Sequence, residues 1–288
     1  MWIEPKKYTF AGHDTFHCKS LWLKKGYEFV KANGDFNAEE SVVALGVGRN
    51  MVTAIRHWLR AFGIIDPETN KVTDFANLIL DDKDGYDPYL EDVNTLWLLH
   101  YNLIKNCYAT TYRELFVKFH KENKFFGKEQ FRLYLKQKFD TGQFKGAVYN
   151  ENTLKRDIEV LLKMYVNPQS TNCEDYTSVL FDLNLIKKVE NSYEFNYSTR
   201  ADIDPLIFLY AVKDHAQDGA TYSYAKVLEL ALVFSIRITD IYHIFNQLHQ
   251  INENIIYDNN EGNHIITLDE SQKAEDILSA YYNRNKND

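Results

Sequence analysis

Helical periodicity that is broken three times by alternating segments is the feature that most constrains this chain. Apolar residues recur every three or four positions over most of the sequence, which is typical of amphipathic helices. At each break, apolar and polar residues alternate around a turn, which is typical of a β-hairpin. Helix, turn, helix and hairpin is the order of a winged helix-turn-helix. The sequence therefore predicts a mainly α-helical fold of tandem winged helix-turn-helix-like modules with small β-hairpin wings.

The breaks between these copies predict three modules. An N-terminal winged-helix-like module is expected at 1–88, where it ends in an acidic loop. A middle helical, winged-helix-like module follows at 89–200, and a C-terminal winged-helix-like module covers 201–288. In the first module a helix pair over 38–62, interrupted by a glycine-containing turn, precedes a hairpin over 64–73.

Composition agrees with a packed helical protein. Hydrophobic residues make up 45% of the chain, enough for real cores. Because the chain has 5 proline and 12 glycine residues, we expect helices joined by short turns. The remaining predicted helices lie at about 90–105, 110–121, 127–139, 152–165, 178–185, 205–215, 224–231, 237–252 and 270–282, and the remaining hairpins at about 186–197 and 255–268.

The compartment is predicted from what the sequence lacks. The first residues have no apolar core of a signal peptide, and no apolar run approaches the length of a membrane span. Cys18, Cys107 and Cys173 are odd in number and form no CxxC pair, so neither a disulfide framework nor a zinc ribbon is indicated. We therefore expect a cytoplasmic protein without membrane contact.

Charge is unevenly distributed along the chain. The net charge of −8 argues against a protein that simply coats DNA. Residues 1–160 hold 23 Lys and Arg against 22 Asp and Glu, whereas the remainder holds 10 against 19. A nucleic-acid contact is therefore expected in the first half, and the acidic second half is better suited to meet protein.

A segment free of acidic residues is the first candidate site. No Asp or Glu occurs from Ser41 to Ile65. Arginine and asparagine pair bidentately with guanine and adenine edges, and a helix N-terminus favours phosphate. The alternative is a helix pair inside a protein–protein module, with a solvated basic face. The residues expected to bind DNA here are Arg49, Asn50, Thr53, Arg56, His57 and Arg60.

A second basic stretch runs from Lys118 to Lys145, with eight Lys and Arg against three Asp and Glu. Its aromatic residues are spaced like core residues, which disfavours base stacking. An ordinary solvated face is the favoured interpretation, and a surface that follows the DNA backbone is the alternative. Lys155 and Arg156, on the recognition-like helix of the middle module, are expected to extend such a DNA-binding surface.

Chemistry is predicted at His13 and Asp14. A histidine beside a carboxylate can act as a general base or metal ligand next to a phosphate. His17 and Cys18 lie close by, although the spacing is not that of HExxH. A capped turn, with a buried hydrogen bond from His13, is the alternative. A second candidate is the acidic run from Asp81 to Asp92, which could hold magnesium, although a solvated loop is favoured there.

Two segments together resemble a known bacterial family. They are Phe10–Phe16 continuing through Trp22–Tyr27, and Leu45–Val52 continuing through Arg56-His57-Trp58. These residues resemble the SspB-like family, long catalogued as a domain of unknown function. Its genes accompany a cysteine desulfurase and a phosphoadenosine-phosphosulfate-reductase-like protein in DNA phosphorothioation islands.

The resemblance implies a function for the chain. It implies a DNA-binding protein of a bacterial phosphorothioation modification and defence system, which nicks duplex DNA to allow sulfur insertion. The expected partners are double-stranded DNA, a cysteine desulfurase and an ATP-pyrophosphatase/PAPS-reductase-like protein, and the expected cofactor is Mg²⁺ or Mn²⁺. Where the family commonly has Glu and Arg, this chain has Asp14 and Lys19. The alternatives are a non-catalytic DNA-binding adaptor or transcriptional regulator, and a protein-interaction scaffold.

Overall fold

The computed structural model describes residues 2, 4–167, 178–197, 200, 202–216, 221–260 and 263–285. The prediction of a mainly α-helical chain with small antiparallel hairpins is confirmed. The helices are α1 (Trp22–Lys31), α2 (Glu40–Leu45), α3 (Arg49–Ala61), α4 (Asp74–Leu80), α5 (Val93–Asn106), α6 (Thr110–Arg113), α7 (Lys128–Asp140), α8 (Glu151–Tyr165), α9 (Pro205–Ala216), α10 (Tyr224–Val233), α11 (Ile238–Ile251) and α12 (Ala274–Asn285). The strands are β1 (Phe125–Phe126), β2 (Ile186–Val189), β3 (Ser192–Phe195), β4 (Thr221–Ser223), β5 (Ile256–Asn260) and β6 (Asn263–Thr267).

The helix pair α2–α3 forms as its sequence predicts. Gly46 ends α2 in the left-handed region, at φ 63°, which glycine adopts without steric cost. Gly48 is extended and begins α3, which buries Val52, Ile55 and Leu59 on one face. The hairpin predicted over 64–73 is reduced to one antiparallel bridge between Ile65 and Val72 in this described stretch. The chain then enters α4, which the sequence analysis did not predict.

The middle of the chain departs from a regular helix at two predicted positions. The helix expected at 110–121 is α6 followed by a π-helical stretch, Glu114–Lys118, and a 3₁₀ turn, Phe119–Lys121. The prediction of a helix at 178–185 is wrong, because residues 181–183 form only a short 3₁₀ turn. The neighbouring Ser178 instead donates its hydroxyl to the Met164 carbonyl at 2.7 Å.

Two small sheets share one topology. Strands β1, β2 and β3 form an antiparallel sheet in the order β1-β3-β2, and β4, β5 and β6 form one in the order β4-β6-β5. In both cases a short strand precedes two helices, and a hairpin follows them. The last strand of each hairpin therefore lies in the centre of its sheet.

The chain consists of two compact units. One, called here the larger unit, is Glu4–Asn196, and the other, the C-terminal unit, combines Met1–Ile3 with Tyr197–Asp288. The division into modules at 1–88, 89–200 and 201–288 stays a prediction. Among the described helices, none combines the length and the apolarity that crossing a bilayer requires.

Candidate nucleic-acid interface and active site

Helix α3 carries the six residues predicted to bind DNA, but only five of them lie on its polar face. Arg49, Asn50 and Thr53 are exposed, and Arg56 and Arg60 are half-buried. His57 lies on the inner side of the helix and is only 5% exposed. The helix therefore presents a polar outer edge at its start and directs His57 into the larger unit.

Arg49 is held by the chain that precedes α2. Its Nη1 donates to the Ala38 carbonyl at 3.0 Å and to Ser41 Oγ at 3.2 Å. Its Nη2 donates to the Asn37 carbonyl, also at 3.0 Å. The guanidinium group therefore joins the start of α3 to the start of α2 while it stays accessible to solvent.

Arg56 and Arg60 are held by neutral groups. Arg56 Nη1 donates to the Asn37 side-chain oxygen at 3.1 Å, and burial lowers the pKa of its guanidinium group. Arg60 donates to Asn70 Oδ1 through Nε at 3.1 Å and through Nη2 at 2.7 Å. Its Nη1 also donates to Tyr108 Oη at 3.2 Å.

The arginines of this face are bound by neutral oxygens and not by carboxylates. In the part of the chain that the structure describes, the guanidinium groups of Arg49, Arg56 and Arg60 form no ion pair with a carboxylate. Their acceptors are carbonyl, amide, hydroxyl and phenol oxygens. Three positive charges therefore remain available to an external anion.

Lys155 and Arg156 lie on the exposed side of α8. Lys155 pairs with Glu151 at 2.7 Å, one helical turn earlier. Arg156 is exposed and has no ion pair with another described residue. Of this predicted pair, Arg156 therefore carries the uncompensated charge.

His13 is buried in a turn and bound by a carboxylate. Residues 11–15 form turns and not a helix, so His13 and His17 share no helix face. His13 is 2% exposed, and its Nε2 lies 3.0 Å from Oδ1 of Asp157 on α8. Its ring stacks on Trp58, with 5.4 Å between the ring centroids and 5° between the planes. The imidazole is therefore fixed in position and orientation.

Asp157 organises the surroundings of His13. Its Oδ1 also accepts from the Ala11 backbone N–H at 2.7 Å, and its Oδ2 accepts from Thr111 Oγ1 at 2.9 Å. An ionised carboxylate is an acceptor only, so His13 carries its proton on Nε2. The lone pair of a neutral His13 is then on Nδ1, so the two ring nitrogens have exchanged the roles that they have in the Ser-His-Asp triad, where the carboxylate binds Nδ1–H and Nε2 is the base.

A small pocket borders this pair. It is lined by Thr9, Ala11, His13, His57, Ala109, Thr111, Tyr112 and Asp157. Three of these side chains each have a buried polar atom without a hydrogen-bond partner among the described residues: His13 Nδ1, His57 Nε2 and Tyr112 Oη. Burial lowers the pKa of His57 well below its usual value, so its imidazole is neutral at pH 7.

The predicted partner of His13, Asp14, is not among the residues that line the pocket. It lies in the same turn, with φ 53°, and its backbone N–H donates to the Ala11 carbonyl at 3.3 Å. The structure thus brings His13 together with Asp157 and His57. The catalytic role of His13 and Asp14 stays a prediction.

The acidic run that could hold magnesium is occupied by the chain itself. Asp81 pairs with Lys31, whose hydrogen bond is the main cause that lowers the pKa of this carboxyl. Asp82 accepts from Lys24 at 2.6 Å. Asp87 accepts from the backbone N–H groups of residues 91 and 92 at 2.9 and 3.1 Å. These contacts favour the structural interpretation of the loop.

Sequence reasoning missed Asp157 and Tyr112. Asp157 lies between Leu154, Ile158 and Leu161 on the apolar side of α8, and all four are buried. A carboxylate that is buried on the apolar face of a helix costs free energy unless it is paired. The position of Asp157 in the sequence could therefore have predicted a buried partner. Tyr112 gave no such signal, because buried tyrosines are common in cores.

The chain was compared with protein families, curated proteins and solved structures. The family DUF4007, described as a protein of unknown function, matches residues 10–282. A crystal structure of SspB and one described as magnesium ion-bound SspB are 27% and 26% identical to the chain. Each has a TM-score of 0.84 and covers 96% of this chain and 88% of its own. No curated protein matches. Since the family match extends from the His13 turn to α12, the chain belongs to the DUF4007 family, and its fold is that of SspB.

Proposed function

We propose that this protein binds duplex DNA and nicks it in a bacterial phosphorothioation system. The observation that carries the proposal is the geometry of α3. One helix presents Arg49, Arg56 and Arg60, which pair with no carboxylate of the described residues, and directs His57 into the pocket beside His13 and Asp157. The likeness to SspB supports the assignment to a phosphorothioation system.

The DNA-binding units in this proposal are winged helices. The shared strand order, in which the last strand is central, supports this for the sheets β1-β3-β2 and β4-β6-β5. In that arrangement the second helix of each pair is the recognition helix. Those helices are α3, α8 and α11. We assign duplex binding to α3 and α8, because α11 contains no Lys or Arg.

Binding is proposed to depend mainly on phosphate contacts. The charges of Arg56 and Arg60, both half-buried, would attract the backbone, while the exposed Asn50 and Thr53 would face base edges. Arg156 would add a phosphate contact from α8. The carbonyl acceptors of Arg49 compete with DNA for its donors, so its contribution is mainly its charge.

Nicking is proposed to use His13 as the general base. His13 Nδ1 takes a proton from a water molecule as the water oxygen bonds to phosphorus. The bond from phosphorus to one sugar oxygen breaks, and that oxygen leaves with a proton from solvent. Asp157 holds the Nε2–H of His13 and stabilises the imidazolium that forms.

A magnesium ion does not fit the His13–Asp157 pair. Both Asp157 oxygens already accept hydrogen bonds, and Mg²⁺ requires several oxygen ligands in octahedral geometry. Among the described residues, no group of three or more His, Cys, Asp or Glu side chains is arranged to hold a metal. The steps above therefore use no metal. A requirement for Mg²⁺ or Mn²⁺ stays an expectation and is tested separately.

The second candidate function is a non-catalytic DNA-binding adaptor or regulator. The burial of His13 favours it, since a phosphodiester reaches the imidazole only if the turn at 11–15 moves. In that function the protein would recruit a cysteine desulfurase and an ATP-pyrophosphatase/PAPS-reductase-like protein. The acidic C-terminal unit is the proposed contact for them, and it would also serve a pure interaction scaffold.

Plasmid relaxation separates these functions. The full chain is incubated with supercoiled plasmid and Mg²⁺, Mn²⁺ or EDTA, and open-circle product is measured. We expect product from the parent and a loss of about a hundredfold or more in His13→Gln, because the general base is removed. The matched control is His243→Gln, which changes an exposed histidine on α11.

Each outcome selects one function. Retarded DNA without open circles, from a protein that is folded by circular dichroism, would favour the adaptor. If the protein retards no duplex at low salt, it does not bind DNA, and only the function of a protein-interaction scaffold remains. Product that persists with EDTA would remove the metal requirement and keep the nickase.

A further inference from the structure

The pocket beside His13 contains three buried polar atoms that form no hydrogen bond with any described residue. They are His13 Nδ1, His57 Nε2 and Tyr112 Oη, and their side chains are 2%, 5% and 1% exposed. Most buried polar groups in folded proteins have a partner, and an unmet one costs free energy. Three such atoms around one pocket indicate a ligand that provides their partners.

The available hydrogens define the chemistry of that ligand. Tyr112 is protonated, because burial raises the pKa of its phenol, so its hydroxyl can donate. His57 is neutral and can donate through Nε2. His13 offers a lone pair on Nδ1. Two donors beside one proton acceptor suit an oxyanion next to a water molecule.

The charge near the pocket also favours an anion. Arg60 lies close enough to His57 to lower its pKa, and it is held by Tyr108, whose ring centroid lies 5.3 Å from that of His57. Arg56 lies one residue before His57 and forms no ion pair among the described residues. Asp157 also lines the pocket, and its two carboxylate oxygens are already engaged by the Ala11 N–H, Thr111 and His13.

We infer that Tyr112 Oη and His57 Nε2 bind a phosphoryl oxygen of the DNA strand in this pocket, beside the Nδ1 of His13. The inference rests on the proposed function, and it adds the group that binds the scissile phosphate. Tyr112 and His57 stabilise the charge that develops on the phosphoryl oxygens as the water attacks. His13 takes the proton of that water, as described above.

The closed pocket has no room for a water molecule, so the proposal requires the turn at 11–15 to open before a phosphoryl group can enter. Ala11 and Asp14 adopt φ 55° and 53°, a conformation that costs free energy for residues other than glycine. Gly12 lies against His57, where an added Cβ would meet Nδ1 at 2.3 Å. The closed turn therefore combines backbone strain with three unmet polar atoms, and both costs decrease when the ligand binds.

Tyr112→Phe tests the inference without removing the ring. We expect its urea midpoint in phosphate-free buffer to equal or exceed that of the parent, because the lost hydroxyl has no partner. Inorganic phosphate is then added as the probe. The urea midpoint of the parent should rise more than that of Tyr112→Phe. Phosphate also stabilises both proteins as a salt, and subtracting the two rises removes this shared effect. Plasmid nicking should fall about a hundredfold.

Tyr165→Phe is the matched control. Its hydroxyl is equally buried but lies 2.8 Å from His100 Nδ1, so its loss should lower the urea midpoint without changing the phosphate-induced shift. If Tyr112→Phe is destabilised as much as Tyr165→Phe, its hydroxyl has an internal partner and the inference fails. It also fails if phosphate shifts the parent and Tyr112→Phe equally.

The two proposals can fail separately. In one outcome the parent relaxes no plasmid, while phosphate raises its urea midpoint and fails to raise that of Tyr112→Phe. That result would support the anion pocket and refute the nicking activity. A Tyr112→Phe variant that nicks as fast as the parent would retain the nickase and overturn the pocket. If Mn²⁺ or Zn²⁺ raises the urea midpoint of the parent, phosphate does not, and the rise is lost in His57→Gln, the pocket binds a cation and the inference fails.

Discussion

At the residue scale, Asp157 connects three separate parts of the larger unit. It accepts hydrogen bonds from the Ala11 backbone, from His13 and from Thr111, which lie on the N-terminal turn and on α6. A buried carboxylate with three donors replaces much of the hydration that it loses on folding. One residue on α8 therefore fixes the position of the turn that carries His13.

Replacing Asp157 by Asn tests this role. The amide can keep one oxygen acceptor, but its NH₂ group faces donors, so at least one buried donor loses its partner. We expect a loss of about 2–3 kcal/mol in the free energy of unfolding, measured with urea. The control is Glu159→Gln on the exposed side of α8, which should change it by less than about 0.5 kcal/mol. Equal effects would show that Asp157 has no special role.

At the scale of secondary-structure elements, α3 has two different sides. Its outer edge carries arginines that bind neutral oxygens, and its inner side carries His57 and Trp58. The Trp58 Nε1–H donates to the Phe16 carbonyl at 3.0 Å, which ties the helix to the segment that follows His13. A contact on the outer edge of α3 can therefore influence the pocket through one rigid helix.

The salt dependence of DNA binding tests the outer edge of α3. In Arg49→Ala/Arg56→Ala, two phosphate contacts are lost, so the slope of log K against log salt concentration should become shallower by about two. Fluorescence anisotropy with a labelled duplex measures this slope. Lys226→Ala/Arg237→Ala removes the same charge from the C-terminal unit and should leave the slope unchanged. A double α3 variant that binds like the parent would refute this interface.

Sequence periodicity predicts elements here better than it predicts contacts. The helices α3, α8 and α11 and both complete hairpins follow from apolar spacing, because one face of each is buried. Helix α4 is only seven residues long, too short for a clear period. The π-helical stretch 114–118 has the same spacing as an α-helix, so local sequence does not distinguish them.

The candidate site was predicted less completely than the fold. The arginines of α3 were predicted because no acidic residue occurs from Ser41 to Ile65, and His13 was predicted because it stands beside Asp14. Asp157 is 144 residues from His13 along the chain, and single-sequence periodicity contains no information on that contact. The partners of Arg49 were missed for the same reason, since carbonyl oxygens leave no signature in a sequence.

At the scale of the whole molecule, the two compact units differ in charge. Residues 197–288 carry seven Lys and Arg against fourteen Asp and Glu, and α11 exposes Ile238 and Tyr242 at 64% and 57%. A helix without cations does not suit a polyanion. This difference supports the proposal that DNA binds to the larger unit and that protein partners bind to the C-terminal unit.

Acid should destabilise both units through histidine. Burial lowers the pKa of His57 well below its usual value and that of His215 to about 4. The unfolded chain binds protons near pH 6.5, so stability is complete above that pH and falls as the pH decreases towards the folded pKa. The loss is about 1.4 kcal/mol per pH unit for His57, and less for His215, which is partly exposed.

Urea unfolding between pH 7 and 5 measures this loss. Carboxylates whose pKa is lowered, such as those of Asp66 and Glu129, stay ionised in the folded state over this range, and they add slope only as the pH approaches 5, where the unfolded chain begins to bind their protons. In His57→Gln the slope should decrease by the contribution of one proton. A parent whose stability is constant from pH 7 to 5 would contradict the assignment of a neutral, buried His57.

The position of Trp2 has a consequence for how the chain is completed during synthesis. Residues 1–3 belong to the C-terminal unit, where the Trp2 ring meets that of His215 with 4.5 Å between centroids. Residues 1–3 must therefore wait until nearly all of residues 197–288 have been synthesised before they reach their final neighbours. The larger unit can form earlier. A tag fused ahead of Trp2 would lie next to the C-terminal unit, and we expect it to disturb the packing of that unit.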